Sequence, residues 1–473
     1  MKVLIYGINY APELTGIGKY TAEMAESLAT AGHAVRVVCA PPYYPEWRIA
    51  ADFSGRRYCT EVKDDVRIWR APVWVPVTPK GLKRLLHLGS FAVSSLPALA
   101  RHLLWRPDSI ICVAPSLLNA PTGWLMARLT GASAWLHIQD YEVDAAFDLG
   151  MLKGGRVKRA ALAIERLLMR RFDVVSTISG KMCEHAVRKG VDETKVVHFP
   201  NWVDTTAIFP LSRLSEYRDK LNISRCATVV LYSGNMGAKQ GLEILALAAA
   251  ELADRKHIVF VFCGDGPSKA DLVRRCSGLE NCRFIPLQPV ERLNELLNLA
   301  DIHVLPQRSG VADLVMPSKL TGMLASGRAI VAMAHAGTEL FKVVSPRGVV
   351  VPPEQVQPLA TAIVALAADG GERARLGAAA REFAEAQLSR DAVISHFEAK
   401  LRSLRARRQN RAMEAQTSSP SERQRDVDSS SPTLGLERRE HADLPRPAPG
   451  LGITASHTTS PSSPDSRTSS KWP

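Results

Sequence analysis

Short apolar runs alternate with helix-patterned stretches along most of the chain, and this alternation restricts the fold more than any other feature. Strands are expected at 2–7, 34–40, 66–71, 109–114, 134–138, 173–177 and 195–199. Helices are expected between them at 18–30, 82–104, 119–130, 157–170 and 179–189. After Asn201-Trp202-Val203-Asp204 the pattern restarts, with strands at 227–233, 258–263, 282–285, 301–304, 329–333 and 348–351. Parallel strands need helical crossovers, so the expected fold is α/β: two Rossmann-like domains with parallel sheets facing a cleft. The expected bounds are 1–205 and 206–385, with a closing helix at 386–407 and a Ser/Thr/Pro-rich tail at 408–473. The tail is too poor in apolar residues to bury a core and is expected to be disordered.

A hydrophobic share of 46% over 473 residues suffices for two cores. The eight cysteines are scattered, with no CxxC and no zinc-type Cys/His spacing, which fits reduced thiols. No leader-like segment precedes the first strand, so a cytoplasmic location is expected. A net charge of +13 points to anionic partners without choosing among nucleic acid, phospholipid and phosphate-bearing substrates. The segment 80–106 is apolar with basic flanks, Lys80, Lys83, Arg84 and Arg106. Its uncharged run, 85–100, is shorter than the roughly 20 residues of a membrane span. It suits either an interfacial helix on anionic lipid or a core helix with a basic tip.

Several turns carry chemistry. Residues 310–335 read as a polar loop, a helix at 320–326 stopped by Gly327, and a buried strand. Met316-Pro317-Ser318-Lys319 running into Leu320 would direct backbone N–H groups, a hydroxyl and an ammonium at one point, as a phosphate site does. The plainer reading is that Ser318 only caps the helix and Lys319 is solvated. The turn Gly234-Asn235-Met236-Gly237-Ala238-Lys239 follows the first strand of the second half, and Gly264-Asp265-Gly266-Pro267 follows its second. Three such turns on one sheet suit a nucleotide diphosphate. In the first half, Gly16 and Gly18 follow the first strand, where doubly wound sheets bind ligands, but Thr21 spoils a dinucleotide fingerprint. His137, Asp140 and Glu142 follow a buried strand and suit substrate contacts. Arg308 is a candidate for donor phosphates or a charged acceptor, or else a plain surface arginine.

These residues together resemble the retaining GT-B glycosyltransferases of family 4. The resemblance is carried over about residues 1–400 by YGINYAPELTGIGKYTAEM, APPYYP, LKRLLHLGSFAVSS, LHIQDYEVDAA, FPNW, SGNMGAKQGLE, FCGDGP and MPSKLTGMLASGR. It implies transfer of a sugar from a nucleotide diphosphate sugar, GDP-fucose being the donor it suggests, to a polyprenyl diphosphate-linked oligosaccharide in exopolysaccharide biosynthesis. The anomeric configuration would be retained, with no metal or other cofactor. The first domain would take the acceptor and the second the donor, at the inner face of the cytoplasmic membrane. His137, Lys239 and Lys319 would be catalytic. Gly16, Gly18, Gly234, Asn235, Gly264, Gly266, Asp313, Pro317, Ser318 and Leu320 would surround the donor, and Asp140 and Glu142 would meet the acceptor. Many members carry two glutamates eight residues apart near donor sugar and ribose, where this chain has Leu314 and Gly322. Competing readings are a GT-B sugar-nucleotide epimerase and a noncatalytic carbohydrate-binding or nucleotide-sugar-binding protein. The residues do not suit nucleic-acid binding, because no aromatic residues interleave the basic ones.

Overall fold

A computed structural model describes residues 1–13, 16–78, 81–114, 117–141, 155–237, 240–309 and 317–417. Lys239, Asp313 and Glu142, together with the expected tail beyond 417, lie outside the described residues.

The first half builds an eight-stranded sheet in the order β3-β4-β2-β1-β5-β6-β7-β8. Its strands are β1 (Lys2–Gly7), β2 (Ala34–Cys39), β3 (Cys59–Lys63), β4 (Val66–Arg70), β5 (Ser109–Ala114), β6 (Ser133–Ile138), β7 (Val174–Thr177) and β8 (Val196–His198). All neighbours pair parallel except β3, an antiparallel edge in register Glu61↔Ile68 with β4. The strands read as continuous apolar runs because helices cover both faces. Along β1, Leu4 and Tyr6 enter the core under α2 (Leu82–Ser94), α3 (Leu96–Leu103) and α4 (Ala120–Thr130). Val3 and Ile5 enter the opposite core with α1 (Gly16–Thr30). The second half builds a six-stranded parallel sheet, β11-β10-β9-β12-β13-β14. These are β9 (Thr228–Ser233), β10 (Ile258–Cys263), β11 (Cys282–Ile285), β12 (Ile302–Leu305), β13 (Ala329–Met333) and β14 (Val349–Val351). Strand order reverses between β1 and β5 and again between β9 and β12, and ligands bind such sheets in the crevice at the carboxyl ends of those strands.

The chain crosses between the halves twice, and the crossings hold each other. Val203 N–H donates to the Leu388 carbonyl at 2.8 Å and Arg390 N–H to the Val203 carbonyl at 3.0 Å. Arg390 also pairs with Asp204 at 3.1 Å. The returning helix Arg390–Thr417 then packs on the first sheet, where Phe397 stacks on Phe199 at 4.3 Å and meets Trp135 edge-on at 4.6 Å.

Three expectations need correction. The helix expected at 82–104 is broken at Ser95, because Pro97 lacks the N–H that would bond the Val93 carbonyl. The edge strand β3 is not expected from the sequence, since CTEVK carries two charges, lacks an apolar run and is exposed everywhere but Glu61. The closing helix runs to Thr417, ten residues past its expected end at 407, on a stretch of good helix formers whose polar composition matches the tail.

Candidate active site

The second half brings its turns and Lys319 to one place. Gly264, at φ 145°, lies so close to the β9 turn that a Cβ would sit 2.0 Å from the Gly234 carbonyl oxygen. A Cβ on Gly266 would meet the Met236 carbonyl at 2.6 Å and Asn235 Oδ1 at 2.7 Å. Met236 N–H donates to the Asp265 carbonyl at 2.8 Å, and Ser268 N–H to the Met236 carbonyl at 2.9 Å. The bare Cα atoms of 264 and 266 therefore serve the nesting of two turns, a role sequence alone could not separate from room for a ligand. Gly234, at φ 121°, leaves space on its other side for Lys319, whose Cε would be 2.6 Å from a Cβ there. Lys319 Nζ donates to the Tyr232 hydroxyl at 2.6 Å and lies 4.2 Å from that ring's centre.

Lys319 opens the helix Lys319–Ala325 directly after the expected loop. Burial pulls its ammonium down to about 8, and among the described residues it has no carboxylate partner. Ser318 makes no side-chain cap and is exposed, so its hydroxyl is uncommitted among the described residues. Pro317 is half-buried and accepts the Leu320 N–H at 3.0 Å, while the Leu320 side chain is fully buried. Arg308 ion-pairs with Glu243 and, at 3.5 Å, with Glu354.

On the first half, Gly16 has φ 65° and open space beside it, the nearest atom to a Cβ being Tyr44 Cε1 at 3.7 Å. The space beside Gly18 is taken by Glu13, whose Oε2 would be 2.5 Å from a Cβ. Sequence reading missed Glu13. Its buried carboxylate accepts from Tyr43 N–H at 3.2 Å, Tyr44 N–H at 3.1 Å and Asn9 Nδ2 at 3.0 Å, so it fastens the loop after β1 to the segment after β2. Burial nevertheless holds its pKa above the usual carboxylate range. Its position in the loop at the sheet's reversal point was the one available signal.

His137 lies on β6 and is buried, with Nδ1 2.9 Å from Ser176 Oγ and its ring edge-on to Phe199 at 5.0 Å. Trp135 Nε1 donates to the same Ser176 oxygen at 2.7 Å. Burial pulls the imidazole to about 3, so it is neutral at physiological pH. Asp140 lines a cavity of about 320 Å³ with Asn9, Gly16, Tyr43, Tyr44, Trp47, Arg84 and His87. His87 is a second residue missed from sequence: Nδ1 lies 2.7 Å from the Trp74 carbonyl, and Nε2 has no partner among the described residues.

The two halves meet through Glu339. Its carboxylate accepts from Gly180 N–H at 3.3 Å and Lys181 N–H at 3.1 Å, at the N-terminus of the helix Gly180–Arg188. Lys342 adds an ion pair to Glu184 at 3.6 Å. A negative charge at a helix N-terminus is favourable, so this contact helps hold the halves in the arrangement seen.

Two parallel-sheet domains, each with its strand reversal facing the other half, and a final helix returning to the first domain define a GT-B glycosyltransferase fold. Solved structures agree. A sucrose-phosphate synthase from Thermosynechococcus elongatus matches with a TM-score of 0.65 at 19% identity, over 86% of this chain and 99% of that one. Anabaena HepE in complex with UDP-glucose matches with a TM-score of 0.61 at 15% identity, over 85% and 100%. The glycosyl transferase 4-like domain model matches residues 15–202, and the glycosyl transferases group 1 model matches residues 227–369. The chain is also 44% identical to the colanic acid biosynthesis glycosyl transferase WcaI of Escherichia coli (strain K12), over 84% of this chain and 98% of that protein. The chain belongs to this glycosyltransferase family, with a 4-like first domain and a group 1 second domain.

Proposed function

We infer that the chain moves a sugar from a nucleotide diphosphate sugar to a lipid-linked acceptor in the assembly of a colanic acid-type exopolysaccharide, with retention at the anomeric carbon and no metal. The observation that carries this reading is the desolvated Lys319 ammonium set against the nested turns at the reversal point of the second sheet. When the sugar–phosphate bond breaks, negative charge builds on the leaving diphosphate, and a cation already stripped of water stabilises that charge without reorganising. Lys319 would do this, and Lys239 is proposed to join it. The neutral His137 would orient the donor sugar by hydrogen bonding. The departing phosphate oxygen would take the acceptor hydroxyl's proton on the face where the new bond forms, which gives retention. Likeness to WcaI supports the polysaccharide context, and GDP-fucose is the first donor to try.

Among the described residues no helix is long and apolar enough to cross a membrane. The helix α2 instead exposes Leu82, Leu86 and Val93 on one face, with the exposed Lys83 flanking it. Such a surface suits peripheral attachment to anionic lipid, which would bring a lipid-borne acceptor to the cleft. The test is release of nucleoside diphosphate from a panel of UDP-, GDP- and ADP-sugars, with EDTA and with or without a membrane lipid extract. Release from one donor, insensitive to EDTA and stimulated by lipid, is expected. Donor binding with no release under any condition would instead establish a noncatalytic binding protein.

A further inference from the structure

Beside α2 lies a second, larger hollow that none of the donor or acceptor residues above accounts for. Its volume is about 960 Å³, near the top of the roughly 300–1,000 Å³ range of small-molecule sites. Its wall is apolar and aromatic, formed by Trp47, Ile49, Phe53, Val73, Trp74 and Val75. Trp74 is 46% exposed and Val77, also on the wall, 92% exposed, an unusual outlay of apolar surface for a solvent-facing loop. Arg48 and Arg56 also line it, are exposed, and have no ion pair among the described residues.

Position gives the hollow direction. Ser90 and Ser94 of α2 form one side of it, and Lys83 lies seven residues before Ser90, on the same helical face. The exposed Leu82, Leu86 and Val93 occupy the neighbouring face of α2, so one end of the groove opens next to the proposed lipid-contacting surface. At the other end, Trp47 is shared with the cavity that holds Gly16 and Asp140. Glu46, Arg48 and Ile49 are shared with a further cavity that reaches Leu287 of the second domain. Trp47 itself has φ 52°, a conformation that bulky side chains rarely adopt. Strain is thus kept at the point where the groove joins the cleft.

We propose that this groove seats the first isoprene units of a polyprenyl diphosphate-linked acceptor, with Arg48 and Arg56 holding the diphosphate and Trp47 marking the passage to the acceptor cavity. The site rests on the reading that the acceptor is lipid-borne, and it is a binding site separate from the donor pocket. The guanidinium groups, without an ion pair among the described residues, match a diphosphate, the apolar wall matches an unsaturated hydrocarbon chain, and both lie between the lipid-facing helix and the cleft.

The test uses the full chain with farnesyl diphosphate as a soluble probe, and inorganic pyrophosphate and farnesol as controls. Binding is read by calorimetry and by the fluorescence of the groove tryptophans. Farnesyl diphosphate is expected to saturate the protein and to bind at least tenfold tighter than either control. Trp74→Ala is expected to weaken it at least fivefold and the Arg48→Glu/Arg56→Glu pair at least tenfold. Both changes fall on exposed side chains, and circular dichroism checks that the variants fold. Equal binding of pyrophosphate alone, undiminished binding in both variants, or no farnesyl diphosphate binding would each overturn the assignment. Nucleotide-sugar binding and turnover by the wild-type chain, measured alongside, test the transferase reading separately, so either can fail without the other.

Discussion

Replacing Lys319 by methionine is expected to make the unliganded protein more stable and a worse enzyme. Burial lowers the ammonium pKa from 10.5 to about 8, and a tenfold change in proton affinity is worth about 1.4 kcal/mol, so keeping this charge in the folded site costs about 3 kcal/mol at neutral pH. The methionine variant escapes that cost but loses the hydrogen bond to the Tyr232 hydroxyl, worth about 1 kcal/mol. Tyr232 keeps its own bond to the Asn235 carbonyl, so no new unsatisfied group is left. The net gain is about 2 kcal/mol, or roughly 4–8 °C for a domain of this size. The sign depends on pH. Between pH 8 and 10.5 the unfolded chain binds the extra proton and the folded one does not, so wild-type stability rises through that window and the advantage of the variant shrinks. Calorimetric melting at pH 7 and pH 10 reads this directly. Donor binding and turnover should fall at least tenfold, about 1.4 kcal/mol. A variant that melts no higher than wild type at pH 7 would refute the desolvation argument. One that melts higher but binds and turns over donor unchanged would remove Lys319 from the site.

Three further changes probe the frame around the site. Gly264→Ala places a Cβ 2.0 Å from the Gly234 carbonyl at φ 145°, so urea unfolding should show a loss above about 2 kcal/mol together with weakened donor binding. Glu339→Ala removes the acceptor for Gly180 and Lys181 N–H, costing about 1 kcal/mol as a lost cap does; solution scattering should show a larger radius, and an unchanged profile would deny Glu339 a part in holding the halves. Burial opposes ionisation of Glu398, but bonds to His33, at 2.8 Å, and Arg402 overcome it and hold the carboxyl below its usual range. Its stabilising contribution is therefore present above about pH 4.5 and lost as pH falls through the folded value, so protease sensitivity of the helix Arg390–Thr417 should rise below pH 4.5, and less so in Glu398→Gln.

The strands were legible because a strand buried on both faces must be apolar along its buried run, as β10 and β13 are throughout and β1 and β5 are after their first residues, Lys2 and Ser109. The crossover near Val203 was legible from the restart of the pattern. What sequence could not supply were contacts made across long separations. Glu13 matters through amides thirty residues on, and Lys319 through a tyrosine 87 residues before it. Gly18 is a glycine because Glu13 fills the space beside it, and Gly264 because another turn does. In both cases a short glycine motif looks the same whether it leaves room for a ligand or for the protein itself.

The missing glutamate pair becomes intelligible beside Lys319. Position 322 is three residues after Lys319 on the helix Lys319–Ala325, a spacing at which a carboxylate and an ammonium are neighbours. The glutamate that the family resemblance leads one to expect there would be in reach to pair with the lysine and raise its pKa. With Gly322 in that place the ammonium is left to burial and a tyrosine hydroxyl, which accounts for its fall to about 8. Arg308 is already engaged by Glu243 and Glu354. Among the described residues around the nested turns, Lys319 is thus the cation whose charge is not offset by the protein. On the proposed function, a diphosphate entering the site would meet less carboxylate repulsion and would itself become the lysine's counter-ion, and donor recognition would shift from a carboxylate on the ribose toward charge on the phosphates.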